Sequence, residues 1–203
     1  MNTTVRHGAG AGMSRRRALA ALAALAVTAG TATLAPCAVA QTAATPPEVS
    51  TELPRARLLG QGRLVYLWMP VYRARLWVGD GFDAAQFERH PLALELIYAR
   101  SLSGRLIAER SLDEMKRSGP FDATQGARWL STLTDLFPDV REGDRLTGVQ
   151  RPGQSVAFFA NGRATGELRD ADFARRFFSI WLAPISSQPQ LRQQLLGTTP
   201  AGL

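Results

Sequence analysis

The chain has 203 residues, 24 basic and 17 acidic side chains, a formal net charge of +7, and a single cysteine. With one thiol there is no internal disulfide and no thiolate cage for a metal. Four of the bases (Arg6, Arg15, Arg16, Arg17) and no acid lie in residues 1–40, so the remainder carries 20 bases against 17 acids, a net of +3. These bases are scattered rather than striped, which removes the electrostatic argument for nucleic acid.

In chain order, Ser14-Arg15-Arg16-Arg17-Ala18-Leu19 precedes an uncharged run from Ala18 to Leu34 that ends at Ala38-Val39-Ala40. Paired arginines, a short apolar stretch and small residues before a cut are the marks of an export signal. The pattern resembles a twin-arginine signal, with the general secretory route as the alternative. The expectation is removal near Ala40 and a periplasmic protein from Gln41 onward. Residues 41–52 are polar and contain Pro46-Pro47, and read as a flexible tether.

The folded domain is expected over 53–197, with 198–203 as a disordered tail. Leu64–Met69 and Val71–Val78 are rich in aromatic and β-branched residues, with a break expected at Pro70. In the second, Arg73 and Arg75 alternate with Tyr72, Ala74, Leu76 and Val78, as in a strand with one wet face. Asp83 suits the cap of a short helix over 84–88, and Pro91–Ala99 reads as another strand. Ser103–Arg117 and Asp122–Phe137 read as helices, the second with Ala123, Ala127, Leu130, Leu133 and Phe137 at helical spacing.

Asp144–Arg151, Ser155–Ala160 and Arg163–Leu168 read as strands. The last two are joined by Asn161-Gly162, the strongest short hairpin signal. Asp170 or Asp172 opens a helix to Leu182, with Phe173, Phe177, Ile180 and Trp181 as its apolar stripe and Arg175-Arg176 on its wet side. A last short helix spans Gln190–Leu196 and stops at Gly197. The order β-β-β-α-β-α-α-β-β-β-α-α argues an α+β fold with a largely antiparallel sheet and helices on one face. Gly60-Gln61-Gly62 lacks the third glycine and the following helix of a dinucleotide site.

Several segments together resemble the chalcone isomerase-like family, in particular its exported bacterial branch. They are Leu59–Leu64, Val71–Trp77, Ala93–Tyr98, Gly143–Leu146, Phe159–Gly162, Asp172–Leu182 and Leu195–Gly197. The resemblance implies an open-faced β-sandwich: a large antiparallel sheet covered by a layer of helices, with a ligand cleft between. The family holds enzymes that cyclise chalcones and proteins that bind fatty acids. By the resemblance, Arg63 stands nearest the enzymes' Arg, and Ser179 where they have Ser or Thr. Ile107 and Glu114 stand where they have Tyr and Asn. An Ile cannot polarise a ketone, and a Glu repels a phenolate, so the catalytic set is incomplete.

The resulting expectation is a non-catalytic periplasmic protein that holds an apolar or fatty-acid-like ligand. Arg63 would be the bidentate carboxylate anchor, with Tyr98 and Ser179 as further ligand-binding residues. Tyr66, Trp68, Tyr72 and Trp77 are candidates for the apolar lining. No cofactor, metal, nucleic acid or stable membrane insertion is expected. Two other classes stand beside it. One is an isomerase acting through Arg63 with Ser179 or Tyr98. The other is a periplasmic protein-interaction module whose cleft is filled by Trp68, Tyr98 and Phe178.

Overall fold

The computed structural model describes residues 44–198. The export segment lies outside the described residues, as does most of the expected tail. Six strands form one antiparallel sheet in the order β1-β2-β3-β4-β5-β6: β1 (Arg57–Tyr66), β2 (Met69–Val78), β3 (Leu92–Tyr98), β4 (Arg145–Arg151), β5 (Ser155–Ala160) and β6 (Arg163–Leu168). Five α-helices accompany it: α1 (Pro47–Glu52), α2 (Gly104–Met115), α3 (Ala123–Leu136), α4 (Ala171–Leu182) and α5 (Pro189–Leu195). The α+β class and the antiparallel sheet with a helical layer are as expected.

Local chemistry explains most boundaries. Asp83 accepts from Ala85 N, Asp122 from Thr124 N and Gln125 N, and Asp170 from Asp172 N and Phe173 N, so each caps its helix. Asn161 and Gly162 have φ of 50° and 82°, the left-handed pair that a two-residue hairpin turn demands.

Two expectations fail in the first third of the domain. The three strands expected before the short helix at 84 are two long ones. Their turn is Leu67-Trp68, not Pro70, which pairs with Val65 inside β2. And the tether is not all tether, because Pro47–Glu52 is α1. Only Val49 and Leu53 on this segment are apolar, too few to show a period. They pack with Trp77, Ala93, Val149, Ala157 and Phe159 on the sheet face opposite the other helices.

The polar residues of α1 are held as well. Glu48 is buried; it is bridged by Arg145 Nη2 at 2.9 Å and accepts from Thr147 Oγ1 at 2.9 Å. Glu95, on the same face, faces Arg145 Nε at 3.5 Å and Arg75 Nη1 at 3.6 Å and accepts from Trp77 Nε1. These carboxylates are buried because guanidinium groups meet them there.

The helical face holds the main core. Phe158, Phe173, Phe177, Phe178 and Trp181 pack edge to face around α4. Arg176, expected on the wet side, is buried. Its Nη1 and Nη2 donate to Gly119 O and Pro120 O, and its Nε donates to Asp172, so it pins the loop between α2 and α3.

Glycine sets the approach of α5. Gly60 and Gly62 pair with Leu76 and Ala74, which puts them on the helical face. A Cβ on Gly60 would lie 2.2 Å from Gln194 O, and one on Gly62 2.2 Å from Gln194 Oε1. Gly60→Ala should therefore cost about 2 kcal/mol by overpacking, or about 4–8 °C in Tm. Gly79→Ala, whose Cβ would meet Leu53 at an ordinary 3.7 Å, serves as the control and should change little. Thermal melts of the two variants check this.

Candidate ligand-binding cavity

A cavity of about 550 Å³ lies between the sheet and helices α2 and α4. Its inner wall comes from alternate residues of the central strands, including Leu94, Leu96, Leu146 and Phe158, with Phe177 and Trp181 of α4 facing them. The period-2 pleat delivers these side chains to one face. Ile107, Ser111 and Glu114 enter from α2 at helical spacing.

Five wall residues are also exposed to solvent, Tyr66, Arg100, Leu106, Arg110 and Gln188, and they mark the mouth. Arg110 Nη2 donates to Glu114 Oε1 across one helical turn. Glu114 Oε2 is buried and, among the described residues, has no hydrogen-bond partner; Arg117 Nε stands 3.9 Å away. Arg100 Nη1 approaches only Met69 Sδ, at 3.7 Å, and takes part in no ion pair among the described residues.

Two phenols stand in the wall. Tyr72 and Tyr98 meet edge to face, with ring centroids 5.9 Å apart. Trp181 Nε1 donates to Tyr72 Oη at 3.0 Å, tying α4 to the sheet across the cavity. Burial pushes the Tyr72 phenol from 10.0 up to about 12, against the opposing pull of the Trp181 hydrogen bond. Burial likewise drives the Tyr98 phenol far above its ordinary value, with Tyr72 adding to the shift.

The three expected site residues separate. Tyr98 lines the cavity. Arg63 does not: it is exposed and pairs directly with Arg73, on the face away from the helices. The reason is phase. Gly60, Gly62 and Leu64 share the helical face, so Arg63 must take the other. The glycines were the signal for this phase, since only a face closely approached by another segment needs them. Ser179 also stays out of the cavity. It is buried behind the wall, donating to Arg176 O at 2.6 Å and sharing a hydrogen bond with Ser118 Oγ.

The two positions where the resemblance places the enzymes' Tyr and Asn, Ile107 and Glu114, do line the cavity. Of the expected lining, Tyr66 and Tyr72 take part, Trp77 lies on the opposite face, and Trp68 caps the β1–β2 hairpin in solvent. Arg100 and Arg110 were missed. They sit beyond a strand end and on a helix face, where nothing local marks them as cavity residues.

The sign for stability follows from Tyr72. Below pH 10 both folded and unfolded chains keep the phenol protonated. Between pH 10 and about 12 the unfolded chain ionises first, so stability is full below 10 and falls through that window. Phenolate absorbance should show a step near 12 that is absent in Tyr72→Phe. In Trp181→Phe the step should move higher still, because the donor that favours the phenolate is gone.

Comparison with known proteins supplies the family. The family model described as chalcone isomerase-like matches residues 41–197. An uncharacterised protein of Haemophilus influenzae is 28% identical over 138 residues, spanning 68% of this chain and 67% of its own. Among solved structures, a fatty-acid binding protein of Arabidopsis thaliana superposes with a TM-score of 0.53 at 16% identity, covering 70% of this chain and 86% of its own. The match over nearly all of the folded chain, together with the six-stranded sheet and its helical layer, makes this protein a member of the chalcone isomerase-like family.

Proposed function

We propose that the protein is an exported carrier that binds a long apolar molecule with an acidic end, without performing chemistry on it. The observation that carries this reading is the cavity of about 550 Å³ with an apolar inner wall and cationic side chains only at its mouth. That volume lies within the usual range for small-molecule sites. The tail would lie along Leu94, Leu96, Leu146 and Phe158. The acidic end would meet Arg100, whose charge no carboxylate among the described residues engages, whereas Arg110 is held by Glu114. The fold shared with a plant fatty-acid binding protein supports the same class of ligand. Export to the periplasm rests on the arginine-led apolar segment before Ala40.

The isomerase reading rested on Arg63 paired with Ser179 or Tyr98. Tyr98 lines the cavity, but Arg63 lies on the other face and Ser179 is satisfied behind the wall, and Ile107 and Glu114 replace the enzymes' Tyr and Asn in the resemblance. A cleft filled by Trp68, Tyr98 and Phe178 would favour the interaction module. Trp68 is instead in solvent, Phe178 is in the core, and Tyr98 lines an open cavity.

The test is native mass spectrometry of protein expressed from the full chain, followed by titration with a matched fatty acid and fatty alcohol. A retained or added long-chain acid is expected, bound more tightly than the alcohol. Arg100→Ala should erase most of that preference, about tenfold, as one charge-assisted contact is lost. Arg63→Ala should leave it unchanged. Equal affinity for acid and alcohol would remove the acidic end from the reading. Decay of an added chalcone faster than in buffer would overturn the non-catalytic part.

A further inference from the structure

The β1–β2 hairpin ends in five consecutive exposed apolar residues: Val65 (52%), Tyr66 (63%), Leu67 (66%), Trp68 (95%) and Met69 (47%). A tip that gives this much apolar surface to water needs a reason. Its backbone needs one too. Leu67 and Trp68 have φ of 47° and 68°, so both central residues of the turn are left-handed. The β5–β6 hairpin makes a turn with the same signs of φ from Asn161-Gly162, the residues suited to it. One molecule thus builds the same kind of turn twice, once from favoured residues and once from two large apolar ones held in strain. Strain retained at an exposed position points to a role for those side chains outside the fold.

Charge around the tip defines the partner. From Leu53 to Gly79 the chain has five arginines and no acidic residue. Arg63 and Arg73 stand opposite each other on β1 and β2, both exposed, and Arg100 rests against Met69 at the tip. Among the described residues none of the three is in an ion pair with a carboxylate. Like charges directly across a strand pair weaken a sheet, and an external anionic surface relieves that repulsion. An aromatic and aliphatic tip ringed by arginines has the composition of a segment that sits in the headgroup layer of an anionic bilayer.

We propose that the β1–β2 hairpin docks the protein on an anionic lipid surface, with Leu67 and Trp68 entering the headgroup boundary and Arg63, Arg73 and Arg100 contacting the lipid phosphates. No described helix is long and apolar enough to cross a membrane, and docking through the hairpin is a peripheral contact. The tip also adjoins the cavity mouth, because Tyr66 and Arg100 belong to both. Docking therefore brings the mouth to the lipid, so that an apolar ligand passes between bilayer and cavity without crossing water. This transfer role rests on the carrier reading above; the docking itself does not.

Trp68 is its own reporter. The other tryptophans, Trp77, Trp129 and Trp181, are at most 6% exposed. The experiment mixes the purified protein with vesicles of phosphatidylcholine, with and without phosphatidylglycerol, and follows co-flotation and tryptophan emission. Binding to the anionic vesicles is expected, with a blue shift absent in Trp68→Ser, and weakening as salt rises. Trp68→Ser should bind about tenfold more weakly or worse, from the lost burial. Arg63→Ala and Arg73→Ala should each cost about fivefold.

The double variant Leu67→Asn/Trp68→Gly separates docking from folding. It should melt at a higher temperature than wild type while losing vesicle binding. No flotation of wild type at low salt would overturn the proposal, as would flotation unchanged in the double variant. A blue shift that grows with protein concentration in the absence of lipid would also overturn it, since the tip would then be covered by a second copy of the chain. Fatty-acid affinity in Trp68→Ser should equal that of wild type, so failure of docking and failure of the carrier reading give different results.

Discussion

The close approach of α5 to β1 governs the functional half of this molecule. The α5 backbone comes so near that only glycine fits at position 60, and the Gln194 and Leu191 side chains crowd position 62. Two glycines spaced by one residue commit β1 to a single pleat phase. Leu64 then joins Tyr72 in the cavity wall, and Arg63 joins Arg73 outside. A carboxylate anchor at position 63 is excluded by the same contact that holds the last helix on the sheet. The cation nearest the cavity must then come from elsewhere, and it does so at Arg100 and Arg110.

The two faces of the sheet solve different problems with the same alternation. On the helical face the apolar side chains of β2 to β5 meet the aromatic stripe of α4, and the space they leave toward α2 is the cavity. On the other face Glu95 is buried amid Arg75, Arg145 and Trp77, and Glu48 arrives on α1 to complete the arrangement. Strand β3 is buried on both faces and carries Glu95 between apolar neighbours. A lone carboxylate there would be costly to bury, and the facing guanidinium groups are what make it tolerable.

The cavity and the hairpin belong to one end of the molecule. The cavity's inner wall is largely apolar, while its rim combines arginines with exposed Tyr66 and Leu106. Tyr72 and Trp181 bind the sheet to α4 beside that rim. A largely apolar wall, a cationic mouth and an apolar projection next to it form a physically coherent set.

Much of this was legible in the residues. Helix caps at Asp83, Asp122 and Asp170, the Asn161-Gly162 turn and the alternation of β2 depend on neighbours a few positions away, and the chain states them directly. The chalcone isomerase-like resemblance and the α+β sheet followed from such signals in order. What only the tertiary structure decided depends on partners far along the chain. Glu48 is buried because Arg145 and Thr147 come to it, and Arg176 because Gly119 and Pro120 do. The facing of Arg63 was set by α5, more than a hundred residues later, and the turn at Leu67-Trp68 is one that local preference argues against. Local propensity is written residue by residue, whereas burial and facing are settled by which distant surfaces meet.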